Sequence, residues 1–511
     1  MKTKVENDER KVYGMKTSPK TNEKIGFWSA LKCIWLDYID HTPVHGFFYL
    51  RASESTGFER IIWSTVIVAS FIVGVILLAH LVAKFVTSPF QITAGHPEML
   101  MRIPFPSISI CHSQTVIDFH ARNFVDKMKI PNGITKSDIL QMLPSALGTF
   151  TDIQWRTIDI NYFTTINEVL EANRLSVFDT VRAVGMKCPD LIRRCSFNKE
   201  RFTCFQDHPY LTFRETMSYM GICCSFNYAP DNSSFEPMTI NSFGVRGGLS
   251  FIGSSFPHLN DGTSGKLFSD GFFLIMHPPY DFPTEYASMQ LLEVGKVTLV
   301  GIYPTISTLS AAVKALPIAS RKCLIGSDVD LPIYRRPACT IQCLKMFIYE
   351  KCDCHPYFLP FDNNNSGIRN CTMLDGNCFQ KIYVDMKKIR CGSCLPGCED
   401  IHYKMSSAMV SYSYANTSIN PMYEATSVTK QEFTAHVYFA GSTVPVRKTV
   451  LTVSFVDLLS NLGGVFSLVL GMSAFSILEL LYYLCIKLPK SIRKSKTPEI
   501  ITIHPANNMV R

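Results

Sequence analysis

The sequence predicts a membrane protein in which two transmembrane helices flank a large, disulfide-rich α+β extracellular domain. Three observations predict it. Two apolar stretches, residues 61–85 ("IIWSTVIVASFIVGVILLAHLVAKF") and 452–488, each exceed the roughly 20 helical residues that cross a bilayer core. Of the 18 cysteines, all but Cys33 and Cys485 lie between the two stretches. Four glycosylation triplets, at Asn232, Asn364, Asn370 and Asn416, fall in the same region and nowhere else.

Composition sets the bounds. With 47% hydrophobic and 18% charged residues, the chain can supply both spans and a sizeable core. The balance of 50 Lys+Arg against 42 Asp+Glu is mildly basic. No basic run is interleaved with stacking aromatics, so no nucleic-acid partner is expected. Residues 1–25 are polar and charged, without a signal peptide, so the first span is expected to act as its own insertion signal. The tail "KLPKSIRKSK" is basic, which suits the cytoplasmic side.

The expected order is a cytoplasmic arm over 1–60, a first span at 61–85, the extracellular domain at 86–451, a second span at 452–488 and a cytoplasmic tail at 489–511. The arm ends in "HTPVHGFFYL". Residues 166–185 have helical spacing. Residues 296–305 ("KVTLVGIYPT") and 432–441 ("EFTAHVYFAG") are rich in β-branched and aromatic residues and predict strands. Residues 339–352 ("CTIQCLKMFIYEKC") predict a helix pinned by cysteine. The cysteines expected in disulfides are Cys111, Cys188, Cys195, Cys204, Cys223, Cys224, Cys323, Cys339, Cys343, Cys352, Cys354, Cys371, Cys378, Cys391, Cys394 and Cys398. Their connectivity stays open.

"CDCH" (Cys352, Cys354, His355) and "CGSC" (Cys391, Cys394) are similar to zinc ligand pairs, but so many cysteines in an oxidising compartment favour disulfides. "GTSGKL" around Lys266 lacks the first glycine of a phosphate loop, and Leu267 stands where a hydroxyl would hold magnesium. With no HExxH and no GxSxG, no catalytic site, metal or cofactor is expected.

The second stretch contains "DLLSNLGGVFSLVLGMSAFSILEL" (457–480). Asp457, Ser460, Gly464, Ser467 and Gly471 recur at steps of three and four, which makes one stripe of small or polar residues on an apolar helix. Such a stripe can be a close-packing seam between helices. Asp457 at its start and Glu479 below it favour a pore instead, because ionisable groups in a span face water or a partner. Gly471-Met472-Ser473 sits mid-span, where glycine frees the backbone to leave the helix and expose carbonyls to an ion. Two spans cannot enclose a pore alone, but a symmetric ring of copies can.

The stretch "SNLGGVFSLVLGMSAFSILELLYY" resembles the second span of the degenerin/epithelial sodium channel family. "TPVHGFFYL" is similar to the His-Gly motif before that family's first span, "PFPSISICH" to the start of its extracellular domain, and "GICCSFNY" to its Gly-x-Cys-x-x-Phe-Asn. Residues 321–360 and "CLPGCED" are most like the insect pickpocket branch.

The resemblance implies a trimeric channel, of one kind of subunit or of related subunits, with a sodium-selective, voltage-independent, amiloride-sensitive pore. It implies Gly471, Met472 and Ser473 as the selectivity filter. Asp457, Ser460, Asn461, Gly464 and Ser467 become pore-lining, Glu479 lies in the inner vestibule, and His45, Gly46 and Ser460 act in gating. Asn461 stands where proton-gated members carry aspartate, and "SLVL" precedes the filter in place of the pattern common in relatives. Sodium ions, membrane lipid and an extracellular stimulus ligand are the implied partners. The alternatives are a two-span receptor or adhesion protein without a pore, a peptide-gated channel of the same family, and an ATP-gated two-span channel, whose motifs the loop does not match.

Overall fold

A computed structural model describes residues 27–490 apart from 43, 45, 51–55, 88, 152–157, 207–210, 230–235, 256–270, 285–286, 332, 361–366, 390, 413–421 and 423–430. The chain divides into two compact units, Gln91–Val450 and the remainder, Met1–Phe90 with Leu451–Arg511.

Gln91–Val450 is built around the strand Lys296–Leu309, which starts where the sequence predicts but runs to 14 residues. That length lets it pair in parallel with Glu432–Phe439 along its first half and with Val446–Leu451 near its end. Asp400–Ser411 pairs with it antiparallel. The sheet has eight strands, continuing through Leu249–Ser254 and Ile192–Phe197 to Glu200–Phe202 on one side and ending at Phe90–Ala94 on the other. A second sheet has five strands, in the order Ser288–Leu292, Phe272–His277, Ser107–His112, Gly221–Phe226 and Phe213–Ser218.

Aromatic side chains join the two sheets. Phe433 of the first stacks on Phe272 of the second at 4.7 Å, and Phe251 meets Phe213 edge-on at 5.9 Å. Phe105, fully buried, touches Phe439 at 5.5 Å. Area removed from water by such rings is the main favourable term in folding. A separate helical core gathers Phe150, Phe163, Ile348 and Phe379. Residues 166–185, which the spacing predicts as helical throughout, form parts of two helices, Ile160–Ala172 and Val177–Val184. Arg174 turns the chain at φ 53°, and Ser176 restarts it through a capping box with Asp179.

The sixteen cysteines between Cys111 and Cys398 form eight disulfides. Cys223 and Cys224 are adjacent on one strand, so their side chains point to opposite faces. They bond accordingly to Cys111 on the neighbouring strand and Cys188 on a helix. Cys339 and Cys343, four apart on Arg336–Cys352, share a helix face and bond to Cys394 and Cys391. The set is completed by Cys195–Cys204, Cys323–Cys398, Cys352–Cys378 and Cys354–Cys371. Cys354, Cys371 and Asp375 lie within 4.8 Å of one another, but the two sulfurs are bonded together and Asp375 binds Arg369 through both oxygens, at 2.7 and 2.8 Å.

A polar chain threads the five-stranded sheet. Thr216 and Ser225 hydroxyls lie 2.6 Å apart, Ser225 and Ser109 2.6 Å, and Ser109 lies 2.9 Å from Nε2 of His277. Nδ1 of His277 is 3.0 Å from the Pro278 carbonyl, which can only accept. Nδ1 therefore carries the proton and Nε2 accepts from Ser109. Burial pulls this imidazole down to about 4.

Candidate functional site

The site lies in the apolar unit. Its long helix, Gly57–Thr87, begins on a capping box in which the Thr56 N–H donates to Glu59 at 2.9 Å and the Glu59 N–H to Thr56 at 3.4 Å. None of its residues is buried, and Ile61, Val68, Phe71, Ile76 and Val86 are mostly exposed. Its 31 residues span about 46 Å at 1.5 Å each, more than the roughly 30 Å of a bilayer core. Among the described residues it is the one helix long and apolar enough by itself to cross a membrane.

The second apolar stretch, expected as a span over 452–488 whose backbone leaves the helix at Gly471-Met472-Ser473, is two helices, Phe455–Leu470 and Ala474–Tyr482, followed by a π-helical turn, Tyr483–Lys487. The break falls at Gly471-Met472-Ser473. Gly471 takes the left-handed conformation, φ 63° and ψ 21°, which ends a helix and favours glycine. The Met472 N–H turns back to the Phe466 carbonyl at 3.2 Å. Ser473 then caps the next helix: its Oγ accepts the Ser476 N–H at 3.4 Å, and Ser476 Oγ accepts the Ser473 N–H at 3.2 Å. A helix end leaves its last carbonyls without intrahelical donors, so this break is where the stretch can present backbone oxygens.

On Phe455–Leu470 the half-buried residues are Leu458, Leu462, Val465, Phe466 and Val469, at helical spacing. Val469 packs on the long helix, where a β-carbon at Gly74 would lie 3.4 Å from its Cγ1. Asp457, Ser460, Asn461, Gly464 and Ser467 are all exposed. A β-carbon at Gly463 or Gly464 would meet nothing within 4 Å. Each glycine costs a helix about 1 kcal/mol relative to alanine, and here no packing inside the chain requires it.

Asp457 also has a local role. Its Oδ2 accepts from the Ser454 N–H at 3.0 Å and from Ser454 Oγ at 2.7 Å, a capping box that starts the helix. Glu479 is exposed on Ala474–Tyr482.

Before the long helix, Gly46 is buried at φ 91°, where a β-carbon would lie 3.1 Å from Ile67 and 3.6 Å from Trp63. Tyr49 stacks on Trp63 at 4.5 Å. His45 lies outside the described residues, as do Asn232, Asn364 and Asn416, while Asn370 is exposed.

One element was not anticipated. Phe27–His41, within the region expected as a plain arm, is a helix. Ile34, Asp37, Tyr38 and His41 recur at helical spacing, and that periodicity is its sequence signal. Ile34 packs with Leu488, Tyr38 meets Tyr483 edge-on at 5.2 Å, and Asp37 Oδ2 lies 2.7 Å from Lys487 Nζ. Hydrogen bonding to Lys487 holds the Asp37 carboxyl below its usual range.

A disulfide-rich α+β domain whose ends run into apolar helices, one broken and carrying an exposed polar stripe, defines a class of membrane-embedded proteins. The chain belongs to the amiloride-sensitive sodium channel family, whose sequence pattern matches residues 38–483. It is 25% identical to Sodium channel protein Nach of Drosophila melanogaster over 495 residues, covering 91% of this chain and 90% of that one. It is 23% identical to Pickpocket protein 28 of the same organism over 518 residues, covering 90% and 79%. Over 311 residues it is 26% identical to Epithelial sodium channel subunit alpha of Neoceratodus forsteri, covering 57% and 45%. The pickpocket-like motifs of the sequence thus belong to a likeness that extends over most of the chain. The family is one of ion channels, not of enzymes.

Proposed function

We propose that the chain is a subunit of a trimeric, voltage-independent, amiloride-sensitive cation channel that prefers sodium. A chemical, mechanical or osmotic stimulus acts on the disulfide-rich domain. Residues 61–85 and 452–488 are the spans, with 1–60 and 489–511 in the cytoplasm and 86–451 outside, glycosylated at Asn232, Asn364, Asn370 and Asn416. Three copies, of this chain or of related subunits, surround the pore. Asp457, Ser460, Asn461, Gly464 and Ser467 line it, Gly471, Met472 and Ser473 form the filter, Glu479 lies in the inner vestibule, and His45 and Gly46 belong to the gating turn.

The observation that carries this reading is the stripe that leads to the break. From Asp457 to Ser467 its residues are exposed within the chain, a β-carbon at Gly464 would meet nothing there, and it ends where the helix opens at Gly471. A stripe costly to the helix and unused inside the chain is suited to facing water at an axis. An opening that splays these helices would admit sodium down its gradient.

Whole-cell recording tests it. Expression, alone or with related subunits, should give a current that amiloride blocks and that falls when external sodium is replaced by a large organic cation. A current indifferent to sodium would overturn the selectivity. Epitope tags at each terminus should label only after permeabilisation; labelling on intact cells would overturn the topology.

A further inference from the structure

The arm helix Phe27–His41 touches the foot of the second apolar stretch, and the turn that follows it touches the foot of the first. On one side Asp37 meets Lys487 at 2.7 Å, and Lys487 Nζ lies 4.0 Å from the centre of the Tyr483 ring. The same Tyr483 ring meets Tyr38, and Ile34 packs with Leu488. On the other side Gly46 rests against Ile67 and Trp63, and Tyr49 stacks on Trp63. The two sides are tied by a short connection, in which the Thr42 N–H donates to the Tyr38 carbonyl at 2.8 Å and Trp35 meets Phe47 at 6.5 Å. The π turn is part of the device. Tyr483 and Lys487 lie at its two ends, four residues apart and on one side, so that both face the arm helix.

We infer that Asp37 and Lys487 are positioning residues of the gate, whose ion pair holds the arm helix on the π turn and thereby couples the foot of the second stretch to the Gly46 turn on the first. This inference rests on the channel reading above. The two side chains touch neither the stripe nor the filter, so they act through the turn. Because both are partly exposed, the pair works together with the Tyr38–Tyr483 contact and the cation over the ring. An unpaired Lys487 regains water and no longer specifies where the arm helix sits.

The test has two arms, both on the full-length chain. In the first, Asp37→Asn, Lys487→Gln and the exchange Asp37→Lys with Lys487→Asp are recorded, with current normalised to surface protein. Each single variant should shift the ratio of open to closed channels about fivefold, the size expected of one such paired contact. The exchanged pair, which restores the ion pair but not the cation over the Tyr483 ring, should be shifted less than the two single variants combined. Singles without effect, or an exchange whose shift is the sum of the two, would overturn the inference.

The second arm needs no current. In a Cys33→Ser, Cys485→Ser background, Asp37→Cys and Lys487→Cys are treated in membranes with a short bis-methanethiosulfonate, and the protein is then digested without reductant and read by mass spectrometry. In the double variant the two cysteine peptides should be joined by one linker, with a methanesulfinate lost at each end, whereas either single cysteine should carry a linker reacted at one end. A half-reacted linker on each cysteine of the double variant, with no joined pair, would overturn the clasp. If no variant carries current, the channel reading fails on the first arm while the clasp is still decided by the second.

Discussion

A β-carbon on Gly46 would lie 3.1 Å from both Cδ1 and Cγ1 of Ile67, on a backbone held at φ 91°. Glycine is the residue that occupies such a backbone without penalty, and the contact leaves little room for any other. Gly46→Ser should therefore push the turn off the long helix or strain it, at about 1–3 kcal/mol. The expected outcome is a lowered open probability with surface expression intact. Normal current per surface channel would reject the role assigned to this turn.

The break supplies a second prediction. Gly471→Ala places a β-carbon on a left-handed backbone at a cost of about 1–2 kcal/mol. Ser473→Ala removes a helix cap worth about 1 kcal/mol. Either change should move the carbonyls next to the break, and a bulkier residue at Ser473 should shift the reversal potential toward that of potassium or abolish current. Selectivity unchanged across several substitutions at both positions would place the filter elsewhere.

How far these features could be read in advance depended on how local their causes are. The apolar length of residues 61–85 suffices to specify a helix, and a glycine within an apolar run suffices to suggest a break. The Ser454–Asp457 box is equally local, yet the acid drew attention first as a charge in a span. The parallel pairing of Lys296–Leu309 with Glu432–Phe439 joins segments over a hundred residues apart, and it takes buried contacts such as Phe433–Phe272 and Phe251–Phe213 to show how the two sheets face each other. Cysteine spacing likewise left the pairings open, because Cys223 and Cys224 differ only in the face of the strand they occupy.

The buried histidines predict a pH dependence. Burial pulls His277 and His436 each down to about 4, against about 6.5 when unfolded. Between these values the unfolded chain binds protons that the fold does not. Their stabilising contribution is complete above about pH 6.5 and is lost as pH falls toward 4, by on the order of 2 kcal/mol per histidine at pH 5. Asp281 works in the opposite sense. Burial pushes its carboxyl up to about 6, so between about pH 4 and 6 the fold holds a proton that the unfolded chain has lost, and its contribution, complete below about pH 4, is lost as pH rises through 6. Two histidines outweigh one aspartate, so stability should fall on acidification. The thermal midpoint of the full-length protein in detergent should drop between pH 7 and 5, and because Asp281 offsets part of the histidine term, His277→Gln should remove more than half of that drop. Parallel acid limbs in the two proteins would count against the buried neutral imidazole.

Ser460 gives the sharpest test of what the stripe faces. It is exposed in the chain, one turn beyond Asp457, and the next stripe position, Gly464, has open space around its α-carbon. A phenylalanine at Ser460 should therefore meet little within its own subunit and leave the subunit's own fold intact. In the closed trimer proposed above, the three copies would approach one another at the axis, and the same ring would be overpacked there. Overpacking costs about 1–3 kcal/mol per site, so three copies reach several. A change of about 5.5 kcal/mol carries a two-state equilibrium from 1:99 to 99:1. Ser460→Phe should accordingly give a standing, amiloride-sensitive sodium leak without stimulus, and cells expressing it should swell or die. A packing seam in a protein without a pore would respond differently, with weakened assembly and no current. Ser460→Phe trimers present at the surface yet electrically silent, alone and with related subunits, would remove the stripe from the gate.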